Sequence, residues 1–162
     1  MFDTKLTVVR HAQGEGNLLG EFHGQYNSDL TELGHRQAEC TARFLKDEPF
    51  DTAFSSDILR AYSTAKHIAR LHNGLEVHIH KGLREICGGK WERMRFDDIE
   101  RLYPEEHRIW THNLSEFTCP GGESVRNMAR RVNDAVNEIV KANAGKNILN
   151  GGIYGFRGFT AI

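Results

Sequence analysis

Long apolar runs are missing from this sequence. None of its 162 residues lies in a stretch approaching the ~20 apolar residues that span a bilayer. The opening residues, MFDTKLTVV, lack the longer apolar core and cleavage site of a signal peptide. Net charge is nearly absent as well: 21 Lys and Arg against 22 Asp and Glu leave −1. That balance gives no basis for a nucleic-acid or membrane-surface partner. Cysteine is scarce. Cys40, Cys87 and Cys119 are widely spaced with no CxxC, so they read as reduced thiols of a cytoplasmic protein, not as a disulfide frame or zinc site. Repeats, low-complexity stretches and linkers are absent too, which leaves one domain long enough to bury a core. The one surplus is histidine, with nine. His78 and His80 could share a strand face, but no HExxH-like spacing or adjacent acidic partner accompanies them. No metal and no other cofactor is expected.

Against this background, residues 5–17, KLTVVRHAQGEGN, organise the chain. Leu6, Thr7, Val8 and Val9 have the composition of a buried strand. Arg10 and His11 stand at its end, and a glycine-bearing turn closed by Asn17 follows. In open α/β sheets ligands bind just beyond the carboxyl ends of the strands, so this cation and imidazole face that crevice.

Further elements alternate. A loop over residues 21–27 leads to a helix with Thr31 as N-cap, Leu33, Ala38, Ala42 and Leu45 as apolar positions, and a stop before Pro49. A short strand over 51–54 precedes Ser55-Ser56-Asp57, a trio suited to capping a helix from about 58 to 72. Asn73-Gly74 ends that helix, and residues 76–79 read as another strand. A glycine-bearing loop over 81–92 and a short helix over 96–102 follow. Residues 107–119 carry aromatics that could form a partial lid. A long amphipathic helix over 124–142 and a strand beginning at 146–149 close the pattern. Strands alternating with helices predict an α/β fold: a three-layer, mainly parallel sheet flanked by helices.

Polar residues of one kind recur at the probable strand ends. Arg10 and His11 follow the first strand. Arg60 lies in the first helical turn after the second, and Glu85 follows the third. Two guanidiniums near helix starts suit a phosphate dianion. An imidazole among them can attack phosphorus in line, giving a phosphohistidine. A carboxylic acid of raised pKa can protonate the leaving oxygen, and Glu85 is the candidate.

Arg10-His11-Ala12-Gln13-Gly14-Glu15-Gly16-Asn17 resembles the RHGxTxxN signature of the histidine phosphatase superfamily, the phosphoglycerate mutase-like proteins. Four further stretches fit in order. Residues 23–38 resemble GxxDxxLTxxGxxQA, and residues 55–65 resemble SxxxRAxxTA. Leu83-Arg84-Glu85 with Gly89, Trp91 and Glu92 resembles the acid loop LxExxxGxWEG, and Gly122-Glu123-Ser124 its GGES turn. The resemblance covers residues 5–149 and implies roles. His11 is the phosphorylated nucleophile and Glu85 the proton donor. Arg10, Arg60 and Asn17 bind the phosphoryl group, and Gly24 lines the substrate pocket. His23, Gln25, Trp91, Trp110 and Phe117 could face that pocket, with packing in the core as the equal alternative for each. Ala12 and Gly14 depart from the commonest residues of the signature, and Gly14 removes a hydroxyl that could bond phosphate. The short span from Glu85 to Gly121 matches phosphatase-type members, such as broad-specificity and α-ribazole phosphatases, better than mutases with their longer insertion.

The resemblance also implies a second essential histidine in a late strand-end motif, SHGG. Here no histidine follows His112, and Asn150-Gly151-Gly152 stands at the corresponding place. The expectation is therefore an incomplete histidine phosphatase domain over residues 1–149, an atypical tail over 150–162, and phosphomonoester hydrolysis impaired by the missing histidine. Mutase-type phosphoryl transfer and non-catalytic binding of a phosphorylated ligand are the alternatives. A third is an interaction domain whose tail, with Phe156 and Phe159, offers a partner surface. The expected partner is a small phosphorylated substrate, and a homo-oligomer stays open.

Overall fold

In the computed structural model the residues described are 3–151. Four strands form one sheet in which every neighbouring pair is parallel: β1 (Lys5–Val9), β2 (Thr52–Ser55), β3 (Val77–Ile79) and β4 (Asn147–Gly151), in the order β1-β4-β2-β3. The last strand is thus central. Alternation along it sends neighbouring side chains to opposite faces. Leu149 packs with Ala42, Leu45, Ala53 and Ile68 under α2 (Glu32–Phe44) and α3 (Leu59–Ala69). Ile148 packs with Leu83, Ala135 and Ile139 under α6 (Val125–Ala142). Two helices on one face and one on the other make the three layers that the alternating pattern predicts.

The helix boundaries follow from local chemistry. Thr31 caps α2 by accepting the Gly34 N–H, and Ser124 caps α6 by accepting that of Asn127. The expected cap of α3 is not formed. Asp57 instead takes two bonds from Arg84, with Nε 2.6 Å from its carboxylate, and the first amides of α3 donate to Asn27 Oδ1 and the Ser28 carbonyl. A charge-assisted fork outcompetes a single cap bond. Leu33, expected among the apolar positions of α2, is exposed, and Ala135 of α6 is buried.

Beyond the carboxyl ends of the strands sits a third apolar cluster. It gathers Phe22, Ile86, Trp91, Ile99, Phe117 and the start of α6 beneath α4 (Phe96–Leu102) and α5 (Pro104–His112). Helix α5 was not expected from the sequence. Proline at its first position and Glu105 and Glu106 in its first turn favour the helix start. Its sequence shows weak periodicity because it buries no residue fully. The aromatics of this region are mainly cap core: Trp91 and Phe117 are fully buried, with ring centroids 4.8 Å apart. The remaining expectations for the tail, over residues 152–162, lie outside the described residues. Among the described residues no helix is long and apolar enough to cross a membrane.

Candidate functional site

A cavity of about 290 Å³ lies between the sheet's carboxyl end and the cap. All six sequence-predicted site residues, Arg10, His11, Asn17, Gly24, Arg60 and Glu85, line it. They come from four separate parts of the chain. Arg10 and His11 follow β1. Asn17 lies within a short helix, α1 (Glu15–Leu19), where a plain turn was expected. Its Oδ1 accepts the Gly14 N–H at 3.0 Å, which directs its carboxamide back onto the loop.

His11 is held in one tautomer. Its Nδ1 lies 2.7 Å from the Ala12 carbonyl oxygen. A carbonyl can only accept, so Nδ1 carries the proton and Nε2 the lone pair. Burial, followed by the charges of Arg60 and Arg10, pushes the imidazole pKa down to about 4, although the Ala12 bond works in the other direction. The ring is therefore neutral at physiological pH. Thr64 Oγ1 accepts the Ala12 N–H at 3.0 Å and so anchors the residue whose carbonyl sets this tautomer.

Glu85 shows the opposite shift. Burial raises its pKa to about 7, against the opposing pull of the Ile86 N–H and of Arg60, Arg131 and Arg10. One carboxyl oxygen accepts the Ile86 N–H at 2.8 Å, and the other is shut off from solvent with no hydrogen-bond partner. Near neutral pH a large share of Glu85 is the neutral acid.

Arg60 is buried, and its guanidinium is tied to the loop that carries Gly24. Nη2 donates to the carbonyls of His23 and Gly24 at 2.6 and 2.7 Å, and Nη1 to Tyr26 at 2.9 Å. These three bonds leave Nε–H and one Nη1–H of the five donors. The fork is thus partly occupied in building the site.

Two braces escaped the sequence reading. Glu92 accepts three backbone N–H groups, from Gln25, Tyr26 and Gly88, at 2.7–2.8 Å. It locks the Gly24 loop to the acid loop. Arg131 of α6 donates to the carbonyls of Gly82, Arg84 and Glu85 and pairs with Glu123 at 2.7 Å. Glu92 and Glu123 stood inside recognisable motifs, but no local pattern told which amides they would hold. Arg131 carried no signal at all. Of the other candidates, His23 and Trp110 line the cavity. His23 has both ring nitrogens engaged, by Ser28 Oγ and Glu21, each at 3.0 Å. Gln25 donates to the Glu85 carbonyl.

Gly24 is required by close approach. A Cβ there would lie 2.6 Å from Glu92 Oε1 and closer still to the Ile86 carbonyl oxygen. Gly24→Ala is expected to lower stability by about 1–3 kcal/mol through overpacking and to loosen Arg60, read as a lower melting temperature and weaker phosphate binding.

The two shifted groups have opposite effects on stability. His11 is lowered from 6.5 to about 4, so between those values the unfolded chain binds more protons and stability rises with pH. Glu85 is raised from 4.5 to about 7, so there the native state binds more protons and stability falls with pH. Each effect amounts to at most about 3 kcal/mol, and they cancel where they overlap. The native chain should show little pH dependence from these groups between pH 4.5 and 6.5. His11→Asn should unmask a fall from pH 4.5 to 7, and Glu85→Gln a rise from pH 4 to 6.5, both read by denaturant titration.

Comparison with known proteins gives the same picture from outside. A family model described as the histidine phosphatase superfamily (branch 1) matches residues 6–150. Phosphoserine phosphatase 1 of Hydrogenobacter thermophilus is 36% identical over 137 residues, covering 85% of this chain and 64% of its own length. The chain thus spans just under two thirds of that relative. Among solved structures, Bacillus stearothermophilus YhfR superposes with a TM-score of 0.86 at 26% identity, over 91% of this chain and 72% of that one. A mycobacterial glucosyl-3-phosphoglycerate phosphatase complexed with VO3 gives a TM-score of 0.80 at 28% identity, over 90% and 72%. With the family model covering nearly all of the described fold, and with an Arg-His pair at a strand end to match, this chain belongs to the histidine phosphatase superfamily, branch 1.

Proposed function

We propose that this chain is a phosphomonoester hydrolase that works through a phosphohistidine on His11. The observation that carries the reading is the opposed titration of two groups lining one cavity: a neutral imidazole of fixed tautomer and a carboxyl group that holds its proton up to about pH 7. Environments that push two pKa values apart assign base and acid.

Arg10 and Arg60, with Asn17, hold the phosphoryl oxygens. His11 Nε2 attacks phosphorus, the P–N bond forms, and the P–O bond to the alcohol breaks. The leaving oxygen takes the Glu85 proton. Water then attacks the phosphohistidine, Glu85 carboxylate takes a proton from it, and inorganic phosphate leaves with His11 neutral again. The guanidiniums supply charge stabilisation to the transferring group, and hydrolysis is impaired by the missing second histidine, since no histidine follows His112. The two segments of the sequence reading, an incomplete histidine phosphatase domain over 1–149 and an atypical tail over 150–162, are part of this proposal. Strand β4 runs to Gly151, two residues into the second segment.

Rapid-quench labelling with a ³²P-monoester tests the reading. Acid-labile, base-stable label on His11 that forms and decays at the rate of turnover supports it. Turnover without label on His11 overturns it.

A further inference from the structure

The cavity lining is of two unlike kinds. Arg10, His11, Arg60 and Glu85 are close enough to act on one another's charge, and the rest of the wall includes Phe22, Phe96, Trp110, Leu114 and Met128. The aromatic part of that wall is ordered by edge contacts. The Phe22 ring sits 5.6 Å from Trp110 and 6.2 Å from Phe96, both edge-on. Arg10 and Arg60 are the cavity's cationic side chains among the described residues, and both belong to the phosphoryl end. The remaining ionisable side chains are carboxyls and histidines. Glu21, the one carboxylate besides Glu85, is already bonded to His23 and lies 3.8 Å from Arg93 Nε. His23 has both nitrogens engaged.

Building on the hydrolase reading above, we propose that the alcohol part of the substrate is a neutral apolar or aromatic group seated against Phe22, Phe96, Trp110 and Leu114. The competing class is a monoester bearing a second anion, such as a carboxylate. Among the described residues, a carboxylate on the alcohol part would leave water with no further cation lining the cavity to receive it and with Glu21 in the same lining, a cost the apolar wall does not offset. A polyol would leave its hydroxyls facing carbon. An aryl or branched alkyl group instead exchanges water for apolar surface and for the ring edges of Phe22 and Trp110. At about 290 Å³ the cavity lies at the lower end of small-molecule sites, roughly 300–1,000 Å³. It suits a one- or two-ring group carrying a single phosphate.

Isothermal titration of the full chain with 1-naphthyl phosphate, O-phospho-L-serine, inorganic phosphate and 1-naphthol tests this without requiring turnover. The expected result is a Kd for 1-naphthyl phosphate about tenfold or more below those for phosphoserine and inorganic phosphate, with inorganic phosphate displacing it competitively. Phe96→Ala and Leu114→Ala alter partly exposed positions and should each lower the ratio of 1-naphthyl phosphate to inorganic phosphate affinity about threefold to tenfold. Phosphoserine binding as tightly as 1-naphthyl phosphate, while phosphate competes, overturns the aryl preference and leaves the hydrolase reading standing. 1-Naphthol binding as well as its phosphate, with no competition from phosphate, overturns the phosphoryl end and with it the hydrolase reading. An affinity ratio unmoved by either substitution overturns the assignment of the wall.

Discussion

His11→Ala is expected to reduce hydrolysis of every phosphomonoester by at least about 10⁴-fold, the scale seen when a covalent nucleophile is removed. The loss should fall on kcat, with inorganic phosphate still bound, because Arg10, Arg60 and Asn17 remain at the cavity wall. The substitution is also expected to abolish the acid-labile phosphoenzyme. His11→Asn serves as the control for folding, since it keeps a polar group near the Ala12 carbonyl that His11 Nδ1 now meets at 2.7 Å. Steady-state kinetics, phosphate titration and a melting curve on the three proteins separate chemistry from stability. Equal turnover in His11→Ala would remove the imidazole from the mechanism. Loss of phosphate binding with an unchanged melting temperature would instead make His11 a binding group.

Glu85→Gln carries the second large effect, and its size should depend on the leaving group. General acid catalysis contributes about 10²–10⁴-fold, but only where the departing oxygen needs a proton. For an alkyl phosphate the phosphorylation step, followed in a single turnover, should slow about 10²-fold or more. For 4-nitrophenyl phosphate, whose phenolate leaves unprotonated near neutral pH, the same step should change little. The pH profile follows from the same group. Burial raises Glu85 to about 7, so the alkyl-ester rate in the native chain should fall as pH rises through that value, as the acid form is lost. His11, lowered to about 4, should set an acid limb only near pH 4. Glu85→Gln should erase the alkaline limb for alkyl esters. A uniform slowing across leaving groups would show that Glu85 positions the site and donates no proton. The Gln side chain is nearly isosteric and keeps an oxygen for the Ile86 N–H, so folding should survive the change.

The two effects share one physical origin. His11 and Glu85 line the same cavity, and burial is the largest influence on each. Desolvation disfavours whichever form is charged, so it lowers the base and raises the acid. Oxygens of a bound phosphoryl dianion would add negative charge beside both groups, favouring the protonated forms of each. The shared setting therefore makes the free-enzyme values the ones that kcat/KM should report.

Much of this arrangement was legible before any coordinates. The β-branched run ahead of Arg10 predicted β1, Thr31 predicted the start of α2, and the alternation of strands and helices predicted a mainly parallel sheet. These signals are local: side-chain branching, a capping oxygen one turn from its amide, and a period of 2 or 3.6. Helix α5 failed because its apolar residues only graze the cap core, so no strong period was written into it. The Ser55-Ser56-Asp57 cap failed because Asp57 had a better partner, Arg84, 27 residues away. No window along the chain can weigh a local bond against a distant one.

By itself, then, the sequence singled out the candidate residues that line the cavity, because a histidine beside an arginine at a strand end and a glutamate in an acid loop are specified by identity and order. The tertiary structure alone decided what those residues can do. It brought four chain segments around one cavity, fixed the His11 proton on Nδ1, and withdrew Glu85 from solvent. It also assigned Glu92 and Arg131 the task of holding the loops. Protonation state and hydrogen-bond partner depend on burial and on groups far away in the chain, and those exist only once the sheet and its cap have packed together.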